Sequence, residues 1–232
     1  MGAYDVIASE YYQDSHKTCR NFDEVTRAAL APFHGRVPPS GLILDVGAGR
    51  GRCKEYLNVD TKRVVQLDDS PLMLDLDPRE PCLLRVLHGA EYLPFPNGEF
   101  SCVTAFLCDA FVGLNCLTEI HRVLQEGGVF IGTLPSYEWG KPLRADLGIE
   151  LFQTRFVNAK GETIILPSVL ITASQLSQML IVAGFREDRV EITKHRLPKT
   201  VSEVSGDIHK PAKVLSCSVY DLDLVYAIVA RR

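Results

Sequence analysis

The sequence predicts an α/β fold built on a doubly wound, mostly parallel sheet. Three observations carry this. Short apolar runs alternate with segments of helical spacing along the chain. The first run, Leu42-Ile43-Leu44-Asp45-Val46, is apolar on both faces and breaks at once into Gly47-Ala48-Gly49-Arg50-Gly51. The first two runs each end in an acid, at Asp45 and at Asp68. A buried strand, a glycine turn that lets backbone N–H groups approach a ligand, and a helix start over 50–57 together form a nucleotide-cofactor crevice.

Taken in order, residues 1–35 precede the first strand. Phe22, Val25, Ala28, Ala29 and Phe33 recur at helical spacing, with Asn21 or Asp23 as the expected cap. Val37-Pro38-Pro39-Ser40-Gly41 is a linker. Val64 to Leu67 is the second strand, and Ser70-Pro71 opens a short helix behind Asp68-Asp69. Cys82 to Leu87 and Phe100 to Leu107 are the third and fourth strands, separated by the turn Pro96-Asn97-Gly98. Leu117, Ile120, Val123 and Leu124 mark a helix that Gly127-Gly128 should end, before a fifth strand over Val129–Leu134.

Beyond it, Leu151–Val157 and Glu162–Leu166 flank Asn158-Ala159-Lys160-Gly161 as a hairpin. A helix is expected over 171–182, and Arg189–Ile192 and Leu222–Val229 are the last strands, antiparallel to each other. Between these lies a polar loop with Lys194, His195, Arg196, Lys199, His209, Lys210 and Lys213, either a solvated linker or a rim attracting an anionic substrate.

The glycine spacing separates two cofactor classes. A dinucleotide turn needs G-x-G-x-x-G, but here the third glycine comes one residue early and Arg52 takes its place. Asp45 would repel a pyrophosphate, whereas it suits a cofactor carrying an ammonium group and a sulfonium. Acid-x-G-x-G-x-G after a buried strand resembles the first motif of the S-adenosylmethionine-dependent methyltransferases with a Rossmann-like fold. Three further segments strengthen the resemblance, which covers roughly 36–136: VVQLDDSPLML over 64–74, Ala90-Glu91-Tyr92-Leu93-Pro94-Phe95, and the helix–Gly-Gly–strand unit from Glu119.

The resemblance implies a seven-stranded sheet with an antiparallel last strand, a helical N-terminal lid and a hairpin insertion after strand five. It implies one domain over 1–232, with the lid at 1–35, the cofactor core at 36–134, a substrate-covering insertion at 135–170 and the remaining helix and strands at 171–232. It assigns cofactor contacts to Asp45, Gly47, Ala48, Gly49, Asp68, Asp69, Met73, Ala90, Glu91, Phe106 and Leu107, with Asp68 on the ribose hydroxyls. Where the family often has an aspartate for the adenine amine, this chain has Gly89, preceded by His88. Tyr4-Asp5-Val6-Ile7-Ala8-Ser9-Glu10-Tyr11 is similar to the Y-D-x-x-A-x-x-Y opening of small-molecule members, whose second tyrosine closes over the cofactor; Tyr11 or Tyr12 would do so.

The candidate catalytic residues are Tyr11 and His16, the latter as a general base, since an unperturbed histidine titrates at about 6.5. Asp109, Tyr137, Glu138 and Trp139 are candidates to face the substrate. Tyr11, Tyr12, Phe33, Tyr137, Trp139 and Phe152 are candidates for an apolar acceptor pocket. Ala110-Phe111 stands where many small-molecule relatives carry a histidine pair, and there is no N-P-P-Y.

Composition narrows the partners. A net charge of −4 argues against nucleic acid. No apolar run approaches the ~20 residues of a membrane span, and the N-terminus lacks a signal-peptide pattern. Seven cysteines without C-x-x-C spacing read as reduced thiols of a cytoplasmic protein, and no metal site is expected. The expected partner is a small-molecule methyl acceptor. The alternatives are an RNA or protein methyltransferase, a nicotinamide oxidoreductase, or a cofactor-binding module without activity.

Overall fold

The computed structural model describes residues 2–13, 15–76, 82–109 and 112–232. Numbered in chain order, strands β1 (Leu42–Val46), β2 (Val64–Asp68), β3 (Leu84–Leu87), β4 (Phe100–Phe106), β5 (Leu124–Pro135), β8 (Val190–Arg196) and β9 (Asp223–Arg231) form one sheet. Their order is β3-β2-β1-β4-β5-β9-β8. β1 to β5 pair in parallel, and β9 runs antiparallel to both β5 and β8. The seven-stranded, doubly wound α/β sheet with its reversed last strand is therefore present.

Alternation along each strand makes two cores. Leu44, Val46, Val65, Leu67, Val103 and Phe130 pack beneath α5 (Leu114–Val123) and α7 (Ala173–Val182). Ile43, Val64, Cys102, Val129 and Ile131 pack beneath α2 (Lys17–Leu30), the 3-10 turn Ala31–Arg36 and α3 (Cys53–Leu57). The remaining helices are α1 (Ala8–Tyr11), α4 (Pro71–Leu74), α6 (Tyr137–Leu147) and α8 (Gly206–Val214). The hairpin β6 (Gln153–Val157) with β7 (Thr163–Pro167) stands apart as its own two-stranded sheet. All seven cysteines are free thiols.

Several expectations are corrected. α2 begins at Lys17, so Asn21 and Asp23 lie inside it rather than capping it. Asn21 instead donates to Glu203 O and accepts from Ser205 N–H, both at 2.9 Å, tying α2 to the chain before α8. α5 ends at Val123, and Gly127-Gly128 falls within β5 at a bulge, where Phe100 pairs Leu124 but Cys102 pairs Val129. Gly127, at φ +76°, makes that bulge possible.

The run from Cys82 to Leu87 gives an edge strand, with Leu84 and Leu87 half exposed. The polar segment after Ile192 is no loop at its start: Lys194, His195 and Arg196 continue β8, and Lys210 and Lys213 lie on α8. α6 was not expected. Ser136 caps it and Gly148 ends it in the left-handed conformation, but Gly140 and Pro142 inside it hide the helical pattern.

Candidate functional site

The site begins with the turn after β1. Gly47, Gly49 and Gly51 all have positive φ, at +63°, +50° and +75°, a region costly to other residues. A Cβ on Gly47 would collide with Cys108 Sγ, and one on Gly49 would lie 2.5 Å from Tyr12 Oη. The turn is thus held between the loop after β4 and the N-terminal segment. Ala48 N–H donates to Leu67 O at 3.0 Å. Asp68 accepts from the N–H groups of Gly49 and Ser70, each at 2.9 Å. Burial raises the Asp68 pKa, and those backbone bonds oppose the rise.

Asp45 is buried and accepts from Thr104 Oγ1 at 2.7 Å. Burial pushes its carboxyl up to about 7 against that hydrogen bond. Arg52, which breaks the dinucleotide pattern, has a structural task. It binds Asp23 of α2 at 2.6 Å, and Asp23 also accepts from the Tyr56 hydroxyl.

These strand ends floor a cavity of about 790 Å³, within the range of small-ligand sites. Its cover comes from two places in the chain. The 3-10 segment Ala3–Ile7 and α1 are anchored by Asp5, which accepts from Ser70 Oγ and from Leu72 N–H at 3.3 Å. The hairpin meets them: Tyr4 Oη donates to Pro167 O at 3.0 Å, and Ala159 N–H donates to Glu10 at 2.6 Å. His16 stacks on Phe156 with ring centroids 4.4 Å apart, and Tyr11 stacks on the same ring at 6.2 Å. Tyr12 lies under the Arg50 guanidinium, 4.3 Å from ring centroid to Cζ.

Of the residues chosen from sequence, Asp45, Gly47, Ala48, Gly49, Asp68, Met73, Phe106 and Leu107 line this cavity, together with Tyr11 and His16. Asp69 and Ala90 do not; they border a small neighbouring void with His88, Leu67 and Gly47. Glu91 is exposed and lines neither. The segment after it is braced by Glu119, which accepts from Leu93 N–H at 2.8 Å, and by Arg122, which donates to Leu93 O and Phe95 O. His121, half-buried on α5, packs edge-on against Phe185.

On the acceptor side, Asp109 and Trp139 line the cavity. Tyr137 and Glu138 do not, and Glu138 is engaged by Lys194 and by the Tyr226 hydroxyl. Phe33 belongs to the core under the sheet, and Phe152 is 61% exposed. None of Lys194, His195, Arg196, Lys199, His209, Lys210 and Lys213 reaches the cavity, so they form no rim to it. Ala110-Phe111 lie outside the described residues.

Sequence reasoning missed Arg144, Arg155, Phe156, Ser168 and Asp207, all of which line the cavity, as does Tyr4 of the opening motif. Ser168 donates to Asp109 and accepts from Arg144 Nη2 at 2.6 Å. Burial raises the Asp109 pKa, and the Ser168 bond opposes that. Arg144 sits on the helix the sequence concealed, so no local signal pointed to it.

The geometry can be set beside known proteins. Residues 44–132 match the methyltransferase domain family. The chain is 34% identical over 98 residues to the mitochondrial arginine hydroxylase NDUFAF5 of Rattus norvegicus, a match covering 40% of this chain and 28% of that protein. It thus spans under a third of that relative's length. An uncharacterized protein of Methanocaldococcus jannaschii is 28% identical over 137 residues, covering 54% of this chain and 50% of that one.

Among solved structures, a chain from the complex of the Haloferax volcanii Trm112 methyltransferase activator with a methyltransferase superposes with a TM-score of 0.68. The identity there is 15%, over 100% of this chain and 98% of that one. The Burkholderia thailandensis 1,6-didemethyltoxoflavin-N1-methyltransferase, solved with 1,6-didemethyltoxoflavin and S-adenosylhomocysteine, gives 0.57 at 18% identity, over 99% of this chain and 87% of that one. At such identities these structures establish likeness of fold.

Proposed function

We propose that this chain, whose residues 44–132 match the methyltransferase domain family, is an S-adenosylmethionine-dependent enzyme that methylates a small molecule enclosed in the 790 Å³ cavity. The observation that carries this reading is the joining of two halves in one space. The glycine turn and Asp68 line it together with Tyr11, His16, Asp109 and Trp139.

The residues present fit the cofactor. The turn leaves no room for a Cβ at Gly47 or Gly49. Asp68 spends one lone pair of each oxygen on Gly49 and Ser70, and so keeps acceptor capacity for two ribose hydroxyls. Asp45, Gly47, Ala48 and Gly49 would hold the amino-acid end. Met73 would flank the nucleoside, with Asp69 and Ala90 bordering the adjacent void, and Phe106 and Leu107 the reactive end. When bound, S-adenosylmethionine supplies an activated sulfonium methyl for in-line displacement.

The protein's own part is alignment and exclusion of water. The N-terminal segment and hairpin act as the lid, with aromatic rings of Tyr11, Phe156 and Trp139 around the acceptor. His16 takes up the proton that an N–H or O–H acceptor releases, and the Tyr11 hydroxyl orients that acceptor. A cytoplasmic location accompanies this reading; among the described residues no helix is long and apolar enough to cross a membrane.

Calorimetry with S-adenosylhomocysteine and with NAD tests the cofactor. Micromolar-range binding of the first and none of the second is expected, and the reverse would end the proposal. A second reading, modification of a protein arginine, draws on the arginine hydroxylases that share the core. Mass spectrometry of products from a metabolite extract and from an arginine-rich protein extract separates the two readings.

A further inference from the structure

We propose that the methyl acceptor carries a carboxylate, held by the guanidinium groups of Arg144 and Arg155 at the hairpin side of the cavity. This rests on the reading of the cavity as the acceptor site and names the class of molecule it takes.

Arg144 is 3% exposed, yet it lines the cavity. Its Nε donates to Gln153 O at 2.7 Å and its Nη2 to Ser168 Oγ at 2.6 Å. Among the described residues Nη1 has no hydrogen-bond partner, and no carboxylate forms an ion pair with this guanidinium. Its nearest acidic counterpart, Asp109, is reached only through Ser168, which already donates to it. A buried guanidinium with spare donor capacity and no carboxylate partner is costly unless an anion completes it.

Arg155 lies two residues along β6 from the carbonyl that Arg144 binds, and it lines the same cavity. Its Nε is buried without a partner. Its one carboxylate contact, Nη2 to Asp207, is 3.4 Å long. That weak contact holds the side chain loosely, so turning it toward a ligand forfeits little. Two under-used guanidinium groups line the same cavity, one bonded to β6 and one borne on it, and offer planar forks, the geometry that matches a carboxylate. Asp109 and Asp207 flank them, which disfavours a dianion such as a phosphate monoester. Tyr4, Tyr11, Phe156 and Trp139 line the same space, so the carboxylate belongs on an apolar or aromatic body.

The test is calorimetry on the full chain in the presence of S-adenosylhomocysteine. Phenylacetate and indole-3-acetate are compared with their neutral amides and with phenyl phosphate. The carboxylates should bind about tenfold or more tightly than the amides, the scale of a charged hydrogen bond. Arg155→Gln should remove most of that preference. Arg144→Lys, which keeps the charge and the helix but loses the fork, should weaken the carboxylates while leaving the amides unchanged.

Equal binding of acids and amides, binding of neither, tighter binding of phenyl phosphate, or unchanged carboxylate affinity in both variants would each overturn the proposal. S-adenosylhomocysteine titrated alone reports on the cofactor separately. Its failure to bind, with the carboxylate preference intact, would remove the methyltransferase reading and leave the carboxylate site.

Discussion

Gly47 and Cys108 occupy one another's space to the limit: a side chain at the first would penetrate the sulfur of the second. The turn after β1 and the loop after β4 are thereby locked at the floor of the cavity.

Gly47→Ala combines that overlap with a φ of +63°. It should destabilise the protein by about 2–4 kcal/mol, as for overpacking plus a left-handed alanine. Urea unfolding measures it. Adding Cys108→Ala removes the overlap with Sγ but keeps a Cβ at 2.9 Å, so it should recover part of the loss and leave at least about 1–2 kcal/mol of backbone strain. A double variant no more stable than Gly47→Ala would show that the thiol is not the obstacle.

Asp68→Ala removes the acceptor for two backbone N–H groups and, on our reading, for the ribose. Affinity for S-adenosylhomocysteine should fall by about 2–3 kcal/mol, the upper range for charged hydrogen bonds. Calorimetry on a variant whose circular dichroism is unchanged decides the matter. Undiminished affinity would confine Asp68 to holding the turn.

Asp45 makes stability depend on pH in an unusual sense. Burial raises its folded pKa to about 7, whereas an unfolded aspartate titrates near ~3.9. Between those values the folded chain holds the extra proton. Its contribution is therefore present below about pH 4 and is lost as pH climbs to about 7, a change on the order of 3–4 kcal/mol at most. Asp45→Asn can still accept from Thr104 and should flatten this part of the profile. Denaturation at pH 5 and pH 8 compares the two proteins, and parallel losses in both would clear Asp45 of the effect.

Phe156 joins the two halves of the cover through His16 and Tyr11. Phe156→Ala should speed hydrogen exchange over 2–12 and weaken its slowing by S-adenosylhomocysteine, with β1 and β4 little changed. Removing 2–12 altogether should abolish turnover and leave the sheet folded, since α2 starts at Lys17 and carries Phe22 and Val25 into the interior. Full turnover by that truncated chain would mean the segment is no lid.

The sequence by itself determined the sheet and its cofactor end. Strand patterns, glycines at positive φ and acids at strand ends are local necessities: a buried parallel strand must be apolar on both faces, and a left-handed turn needs glycine. The Y-D-x-x-A-x-x-Y opening was legible only as a resemblance, because Asp5 and Tyr4 make their bonds across 65 and 163 residues of chain. Local signals misled where they were weak or ambiguous. Gly127-Gly128 serves a helix end and a strand bulge equally well, and Pro142 disguised α6.

The polar lining of the cavity around Asp109 was decided by the tertiary structure. Arg144 comes from a helix, Arg155 from a hairpin and Asp109 from the loop after β4, and Ser168 joins two of them across 24 and 59 residues of chain. No periodicity encodes such a meeting. It arises because the N-terminal segment and the hairpin bury their aromatic faces against each other over the crevice, and this closure brings polar groups from distant positions onto one wall.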